Sequence, residues 1–441
     1  MKHGTLTQGL TLFKYKITRG GSFGSLGMLG MPVAFLLPPP RNGRRREGSV
    51  LGKITKRRPQ RRHCSFGESY HAIPVKYILV NSLRALANHS PIDRYLPITD
   101  TKEQFKMAET MRAIDIHGGS GPATALFLNP STPKPVPGAG QVLVRISAFG
   151  LNRMDLFQRE GRYALPPQAP STLGVEFSGT VAASNATAAS SFRPGDEVFG
   201  LAYGGAYAEY VAVSAKTLLH KPVHLSFEQA AALPETWITA TQALHFVLGI
   251  TEGKSVLWHA GASGVSIAGI QLSRLAGASE VYATAGSQEK CEFIERELGA
   301  TKAFNYKEED WAAEILAKTG GKGVDLIVDF VGADYFNKNL DVVARDGRIC
   351  LLGLMSGGVV DQVNIGKLLY KRARVEGSTL RSRDEDYQGL LRDKLEEYLP
   401  KFESGELKIF IDTVLPFEEI VKAHQQLEEN KTMGKIICTI S

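Results

Sequence analysis

The spacing of apolar positions changes character along the chain. From residue 111 to about residue 235, short alternating runs such as "QVLVRISAFGL", "PGDEVFGL" and "GGAYAEYVAV" are separated by Pro and Gly. A period of two bounded by turn residues predicts short, half-buried strands in a compact β-rich domain. From about 236 to 383, continuous apolar runs alternate with stretches of helical period: "SVLWHA" with "SIAGIQLSRLAGA", "EVYATA" with "EKCEFIERELGA", "KAFNY" with "WAAEILAKTGG", then "VDLIVDFVG" and "GRICLLGL". That alternation predicts an α/β domain with a doubly wound parallel sheet. The tail over 384–441, which includes "YQGLLRDKLEEYLPKFESGELK", reads as helix and then extended chain returning to the first domain.

Residues 1–110 show no sustained period. A Gly/Leu/Met/Pro stretch from Gly20 to Pro40 precedes a basic run from Arg41 to Arg62, and the segment reads as a disordered basic extension. The absence of acid before Glu47 would suit a mitochondrial transit peptide, and the cluster from Arg44 to Arg62 a nuclear signal or nucleic-acid patch. The favoured reading is a dispensable extension, because "MAETMRAIDIHGG" offers Met107 and Met111 as starts of a complete enzyme.

Composition narrows the partners. The net charge of +7 comes from this extension, whose 19 Lys and Arg against 6 Asp and Glu give +13, leaving a net of −6 for residues 111–441. Nucleic acid is therefore not an expected partner of the folded part. No apolar run approaches the roughly 18 to 20 residues that span a bilayer. Cys64, Cys291, Cys350 and Cys438 are widely spaced with no C-x-x-C pair, which disfavours structural zinc and a disulfide scaffold and fits a reducing compartment. Cytoplasmic residence is expected, or mitochondrial if residues 1–40 act as a transit peptide.

The stretch "HAGASGVS", residues 259–266, nearly matches a dinucleotide turn, in which successive glycines make the bend, admit the pyrophosphate and let helix and strand pack. Gly261 fits the first role, while Ser263 and Ser266 replace the other two glycines around Gly264 and Val265. Serine is small and its hydroxyl is able to donate to phosphate. The setting between "SVLWHA" and an amphipathic helix is what the motif requires, so Gly261, Ser263, Gly264 and Val265 are expected cofactor contacts. Where an acid would bind the 2′-hydroxyl of NADH, "YATAGSQEKC" places Ser287 and Lys290, which favours NADPH. Lys290 either meets the 2′-phosphate or is a solvated surface lysine; Tyr306 either covers that phosphate or packs the third strand.

Taken together, "GLNRMDLFQREGRY", "LPETWITATQAL", "HAGASGVS", "TAGSQEK", "FNYKEED" and "TLRSRD" resemble the zinc-independent medium-chain dehydrogenases/reductases, specifically NADPH:quinone oxidoreductases. Within that group the resemblance is to the branch of the tumour-suppressor-inducible quinone oxidoreductases, with zeta-crystallin more distant. It runs from Met111 to the end. It implies a GroES-like catalytic domain over 111–235 completed by 384–441, a Rossmann-type NADPH domain over 236–383, and a homodimer. Ser266 departs from the family, where glycine is usual.

Zinc alcohol dehydrogenases share this layout but carry a Cys-His pair where this chain has Asn152 and Arg153, and a His-Glu pair where it has Val175 and Glu176. One remaining carboxylate does not make the three-ligand site of catalytic zinc, so no metal is expected. An electron-poor quinone needs mainly placement against the nicotinamide, which favours reduction by hydride or one-electron transfer.

The resemblance further implies that Asn152 and Tyr163 line the nicotinamide end, with Tyr163 either orienting the acceptor and donating a proton or packing on the cofactor. Thr239 is placed at the carboxamide or serves as a capping residue. The backbones of Gly353, Leu354 and Met355 and of Leu380, Arg381 and Ser382 pass beside the nicotinamide, and Lys435 touches cofactor or faces solvent. His259, Trp237 and Trp258 read as structural. Reduction of α,β-unsaturated carbonyls is the alternative activity; a non-catalytic NADPH- or RNA-binding protein is a further alternative.

Overall fold

The computed structural model describes residues 109–186 and 191–441. The expected disordered extension lies outside the described residues except at its end: Thr110 already belongs to the first strand, and Glu109 pairs with Lys134 at 3.1 Å.

The first lobe is mostly β. Strands β1 (Thr110–Ile116) and β2 (Leu126–Pro133) form an antiparallel pair. A seven-stranded sheet is built from β3 (Gln141–Gly150), β4 (Glu176–Ser184), β5 (Glu197–Leu201), β6 (Tyr210–Ser214) and β7 (Leu218–His220), with two strands from the tail. Its inward residues, among them Val144, Phe149, Phe177 and Val198, make a closed apolar core. Three short helices break the strand pattern: α1 (Arg153–Arg159), α2 (Phe227–Ala231) and α3 (Pro234–Thr241), the last running on into a π-helical turn over Gln242–Val247. Pro234 stands at the first turn of α3, where its missing N–H costs nothing. The expected domain boundary at 235/236 therefore falls inside one helix.

The second lobe alternates as its sequence predicts: β8 (Ser255–Trp258), α4 (Gly264–Leu275), β9 (Glu280–Ala285), α5 (Gln288–Leu298), β10 (Lys302–Asn305), α6 (Trp311–Lys318), β11 (Val324–Asp329), α7 (Ala333–Val342), β12 (Val343–Leu351), α8 (Gly366–Lys371) and β13 (Arg374–Gly377). The strands form one parallel sheet in the order β10-β9-β8-β11-β12-β13. Side chains leave a strand to alternate faces, so Val256 and Trp258 enter one core with Ile267 and Ile294, while Leu257 enters another with Trp311 and Leu340. Helices cover both faces, which is the doubly wound α/β arrangement beside a GroES-like lobe.

The tail divides. Helix α9 (Glu385–Glu403) bridges the two lobes: Leu391, Leu395 and Phe402 join the core that holds Val256 and Ile267, Phe402 meets Trp237 of α3 edge-on at 4.6 Å, and Arg392 donates to the Leu218 carbonyl of β7 at 3.1 Å. The segments β14 (Ile411–Pro416), α10 (Ile420–Glu428) and β15 (Lys435–Thr439) complete the first lobe, β15 pairing antiparallel with β3. Among the described residues no helix is long and apolar enough to cross a membrane.

Candidate active-site cleft

Where β8 ends, the chain turns through Ala260 at φ 49°, a left-handed conformation unusual for a residue with a Cβ. Gly261 follows because a Cβ there would lie 2.7 Å from Ile294 Cδ1 and 2.9 Å from Ala283 Cβ. Ser263 caps α4, its hydroxyl accepting from the Ser266 amide at 3.4 Å, and the Ser263 carbonyl accepts from the Ile267 amide. The helix itself supplies no partner for the amides of Gly264 and Val265, which leaves two donors at the positive end of α4.

Ser266 does not do the work that a hydroxyl at this position suggested from sequence. Ser266 is fully buried and its hydroxyl donates inward to the His259 carbonyl at 2.7 Å, so it does not offer that hydroxyl to a phosphate. The close helix–strand approach expected of a third glycine occurs one turn later. A Cβ on Gly269 would lie 2.2 Å from the Trp258 ring. His259 is structural: one ring nitrogen pairs with Thr284 Oγ1 at 3.0 Å and the other with Asn339 Oδ1 at 2.8 Å.

At the end of β9, Ser287 caps α5, and Tyr306 lies across Gly286, where a Cβ would be 2.9 Å from the phenol oxygen. Lys290, half-buried, donates from Nζ to the Asn430 carbonyl at 2.7 Å, so its ammonium is docked rather than freely solvated. Glu289 is exposed on the first turn of α5. Strand β12 ends in the loop of Gly353, Leu354 and Met355, whose amide at Met355 donates to the Phe330 carbonyl at 3.1 Å; Leu354 and Met355 are exposed.

The base of the cleft is a polar cluster. Asn152 caps α1, donates from Nδ2 to Glu176 Oε1 at 2.8 Å, and accepts at Oδ1 from Lys435 Nζ at 2.9 Å. Lys435 also donates to the Leu151 carbonyl at 2.6 Å and pairs with Glu176 Oε1 at 2.6 Å. An ammonium has three N–H donors, and all three are used within the protein. Lys435 therefore does not face solvent, and its stem leans on the start of α4, 3.0 Å from where a Gly264 Cβ would stand. Glu176 Oε2 accepts from the Glu235 amide at 2.8 Å.

Thr239, four residues along α3, donates to Glu235 Oε1 at 3.5 Å. Burial, the Glu176 charge and Asp155 together raise the Glu235 pKa to about 8, against the pull of Lys435 and Arg381. Asp155, fully buried beneath Asn152, is raised by burial to about 6, although the Asn152 amide and the Tyr207 hydroxyl both donate to its Oδ2. Opposite, the Arg381 guanidinium carbon lies 5.4 Å from the Tyr163 ring centre. Burial pushes the Tyr163 hydroxyl above its usual range, partly offset by Arg381. Arg381 is itself buried, donating to the Tyr203 carbonyl at 2.6 Å and to Gln158 Oε1 at 2.8 Å, while Nη2 has no partner. Leu380 is buried and Ser382 exposed, its hydroxyl bonded to that of Thr379.

Asn152, Tyr163, Thr239, Arg381 and Lys435 thus converge at one end of the cleft. Ser287, Lys290 and Tyr306 gather at the end of β9. Sequence reasoning did not single out Glu235 or Asp155, nor the side chain of Arg381; an acid directly after the proline of "LPETW" was the available signal. Among the described residues no three His, Cys, Asp or Glu side chains are placed to hold a metal ion. Both Glu176 oxygens are taken, Oε1 by Lys435 and Asn152 and Oε2 by the Glu235 amide.

Residues 138–223 match the family model of the alcohol dehydrogenase GroES-like domain, and residues 264–396 that of the zinc-binding dehydrogenase. Human quinone oxidoreductase is 30% identical over 333 residues, covering 74% of this chain and 97% of that protein. The rat synaptic vesicle membrane protein VAT-1 homolog is 32% identical over 346 residues, 75% of this chain and 84% of that one. Similar solved structures include an NAD-dependent alcohol dehydrogenase (34% identity, TM-score 0.65, 75% of this chain and all of that one). They also include the CurK enoyl reductase (28%, 0.65, 76% and 100%) and a mycobacterial protein complexed with NADPH (29%, 0.66, 75% and 99%).

Proposed function

The chain belongs to the medium-chain dehydrogenase/reductase family, and from that premise we propose that it is an NADPH-dependent reductase of quinones that works without a metal ion. The observation that carries this reading is the Lys435–Glu176 pair at 2.6 Å. It occupies with an internal ammonium the carboxylate that stands where zinc alcohol dehydrogenases carry the Glu of their His-Glu pair. The cation fixes Asn152 in place, and substrate polarisation falls to hydrogen-bond donors of the chain.

The residues present suit a phosphorylated nicotinamide dinucleotide. The amides of Gly264 and Val265 would take the pyrophosphate at the end of α4. Ser287, Lys290 and Tyr306 would surround the 2′-phosphate, with two donors of Lys290 still available beyond its bond to Asn430. Thr239, the 353–355 loop and the 380–382 backbone would border the nicotinamide. When bound, NADPH supplies a hydride at its C4.

The chain's own part is to place and protonate the acceptor. Asn152, held by Lys435 and Glu176, forms a rigid wall. Tyr163, kept protonated by burial, offers its O–H to the oxygen on which charge develops, and the unpartnered Arg381 Nη2 lies beside it. A quinone, already electron-poor, needs no stronger electrophile.

The CurK enoyl reductase supports a second reading, reduction of α,β-unsaturated carbonyls in the same cleft. Parallel turnover of 1,2-naphthoquinone and a short 2-alkenal decides between them, and preference for the alkenal by orders of magnitude reverses the ranking. We also propose a homodimer built on β13, the sheet edge beside which Ile365, Leu369 and Tyr370 are exposed; light scattering tests it. The buried thiols of Cys291, Cys350 and Cys438 suit a reducing compartment, and we place the protein in the cytoplasm, with the mitochondrion as the alternative.

A further inference from the structure

We propose that Asn430 is a specificity-determining residue for the phosphorylated coenzyme, gathering Arg153 of the first lobe and Lys290 of the second into a two-cation seat for the 2′-phosphate; the proposal deepens the NADPH reading above and rests on it. Asn430 is the first residue beyond the cap of α10 and takes a left-handed backbone, φ 56°, which asparagine tolerates better than most residues. Its amide N–H donates back to the Leu427 carbonyl at 3.3 Å and its Nδ2 to the Glu428 carbonyl at 2.9 Å, which closes the helix end. Glycine would serve that turn equally well. What glycine would not supply is a side-chain acceptor. The Asn430 backbone carbonyl accepts from Lys290 Nζ at 2.7 Å, and its Oδ1 accepts from Arg153 Nη2 at 2.6 Å. Lys290 stands on the first turn of α5, and Arg153 opens α1 next to Asn152. One neutral residue of the tail thus joins the end of the nucleotide sheet to the helix at the base of the cleft.

Neither cation is neutralised where it meets Asn430. Among the described residues neither Lys290 nor Arg153 forms an ion pair, although acids lie nearby. Glu428 and Glu160, whose charges reach Arg153, both bind the buried Arg159 guanidinium, at 2.6 and 3.0 Å. On the Lys290 side, Asp412 has Oδ1 occupied by the Met433 amide and Oδ2 by the Thr413 hydroxyl, each at 2.8 Å. Glu289 is exposed, and Lys307 adds a third positive charge. Arg153 uses Nη2 on Asn430 and on the Leu427 carbonyl at 3.0 Å, so Nε and Nη1 keep three donors. Lys290 keeps two.

Uncommitted donors on two cations around a neutral residue suit a phosphate monoester, which carries close to two negative charges and three strong acceptor oxygens. The 2′-hydroxyl of the unphosphorylated coenzyme offers no charge to them. Asn430 acts by ordering the cations before the coenzyme arrives. Ordering one long side chain at the moment of binding weakens affinity by about two- to tenfold, and Asn430 holds both in advance. Because the cations come from different lobes, the 2′-phosphate would also tie the lobes together at a seam that lacks an anion of its own.

The test measures binding of adenosine 2′,5′-bisphosphate and of 5′-AMP to the full chain by isothermal titration calorimetry, two probes that differ only in the 2′-phosphate. Wild type should bind the bisphosphate about tenfold tighter or more. Arg153→Leu should weaken the bisphosphate by about tenfold, the loss of one charge-assisted contact, and leave 5′-AMP within about twofold. Asn430→Gly keeps the left-handed turn and the carbonyl that holds Lys290 but removes Oδ1; it should weaken the bisphosphate by about two- to tenfold and leave 5′-AMP unchanged. Adding it to Arg153→Leu should cost nothing further, since the Asn430 side chain acts through Arg153. Asn430→Asp sets a negative charge between the cations and should weaken the bisphosphate at least as much as glycine does. Bisphosphate affinity unchanged in both Asn430 variants would overturn the proposal. So would equal weakening of the two probes, which is what a contact to the 5′-phosphate or a purely structural joint would give. Should Arg153→Leu fail to fold, the Asn430 variants, at an exposed position, decide alone. Failure of wild type to prefer the bisphosphate would sink the NADPH reading and the proposal with it, whereas a preference that survives every variant refutes the proposal and leaves that reading standing.

Discussion

The Lys435 ammonium meets the Glu176 carboxylate at 2.6 Å with both side chains nearly sealed from water. One comes from the last strand and the other from β4, so the pair joins the returning tail to the sheet beneath the cleft. Removing one partner of such a pair leaves an uncompensated buried charge and costs about 3–5 kcal/mol. Lys435→Met should therefore lower unfolding free energy by about that amount in urea, and Lys435→Met with Glu176→Gln should recover much of it. An equally unstable double variant would show that the ion pair is not the source of the loss.

Packing of α4 on β8 depends on Gly269. A Cβ at 2.2 Å from the Trp258 ring cannot be accommodated without moving helix or indole. Gly269→Ala should cost about 1–3 kcal/mol, read as a lower melting temperature. No change would mean that the helix slides freely on the strand.

Glu235 makes stability depend on pH with a definite sign. Its folded pKa of about 8 stands above the usual value of 4.5, so the folded state holds the proton more tightly than the unfolded chain. The contribution is complete below the unfolded value and declines as pH rises toward about 8, by at most about 1.4 kcal/mol per unit. Glu235→Gln lacks this decline. The stability of the variant relative to wild type, measured by denaturant titration, should rise steadily from pH 5 to pH 8 and level off above; a constant difference would contradict the assignment.

Coenzyme choice rests on the end of β9. Lys290→Ala should weaken NADPH binding by tenfold or more, the loss of about one charge-assisted hydrogen bond, and leave NADH within about twofold. Fluorescence titration with both coenzymes checks this, and equal weakening would make Lys290 a structural residue docked on Asn430.

The alternation of β and α in the second lobe was legible because each strand and helix there is a run of one period, as in "SVLWHA" followed by "SIAGIQLSRLAGA". The turn from β8 into α4 was legible from Gly261 and its setting. The roles of its serines were not, since only the folded turn shows that Ser266 bonds back to His259. Helix α1 is seven residues long and owes its form to Asn152 and Asp155 exchanging cap hydrogen bonds, a signal too short to outweigh the surrounding strand texture. Lys435 was visible as a matching position, yet its three acceptors come from residues about 260 to 280 positions away and no local pattern encodes them. Glu235 escaped notice for the same reason: its chemistry comes from Glu176, Asp155 and Tyr163, all brought to it by tertiary structure.

The central claim is a cleft that reduces a quinone with the phosphorylated coenzyme and no metal. Its most direct test is the rate of NADPH and NADH oxidation with 1,2-naphthoquinone by the full chain after exhaustive chelation. The account predicts full retention of activity and a clear preference for NADPH. Loss of activity restored by zinc, or equal use of the two coenzymes, would contradict it.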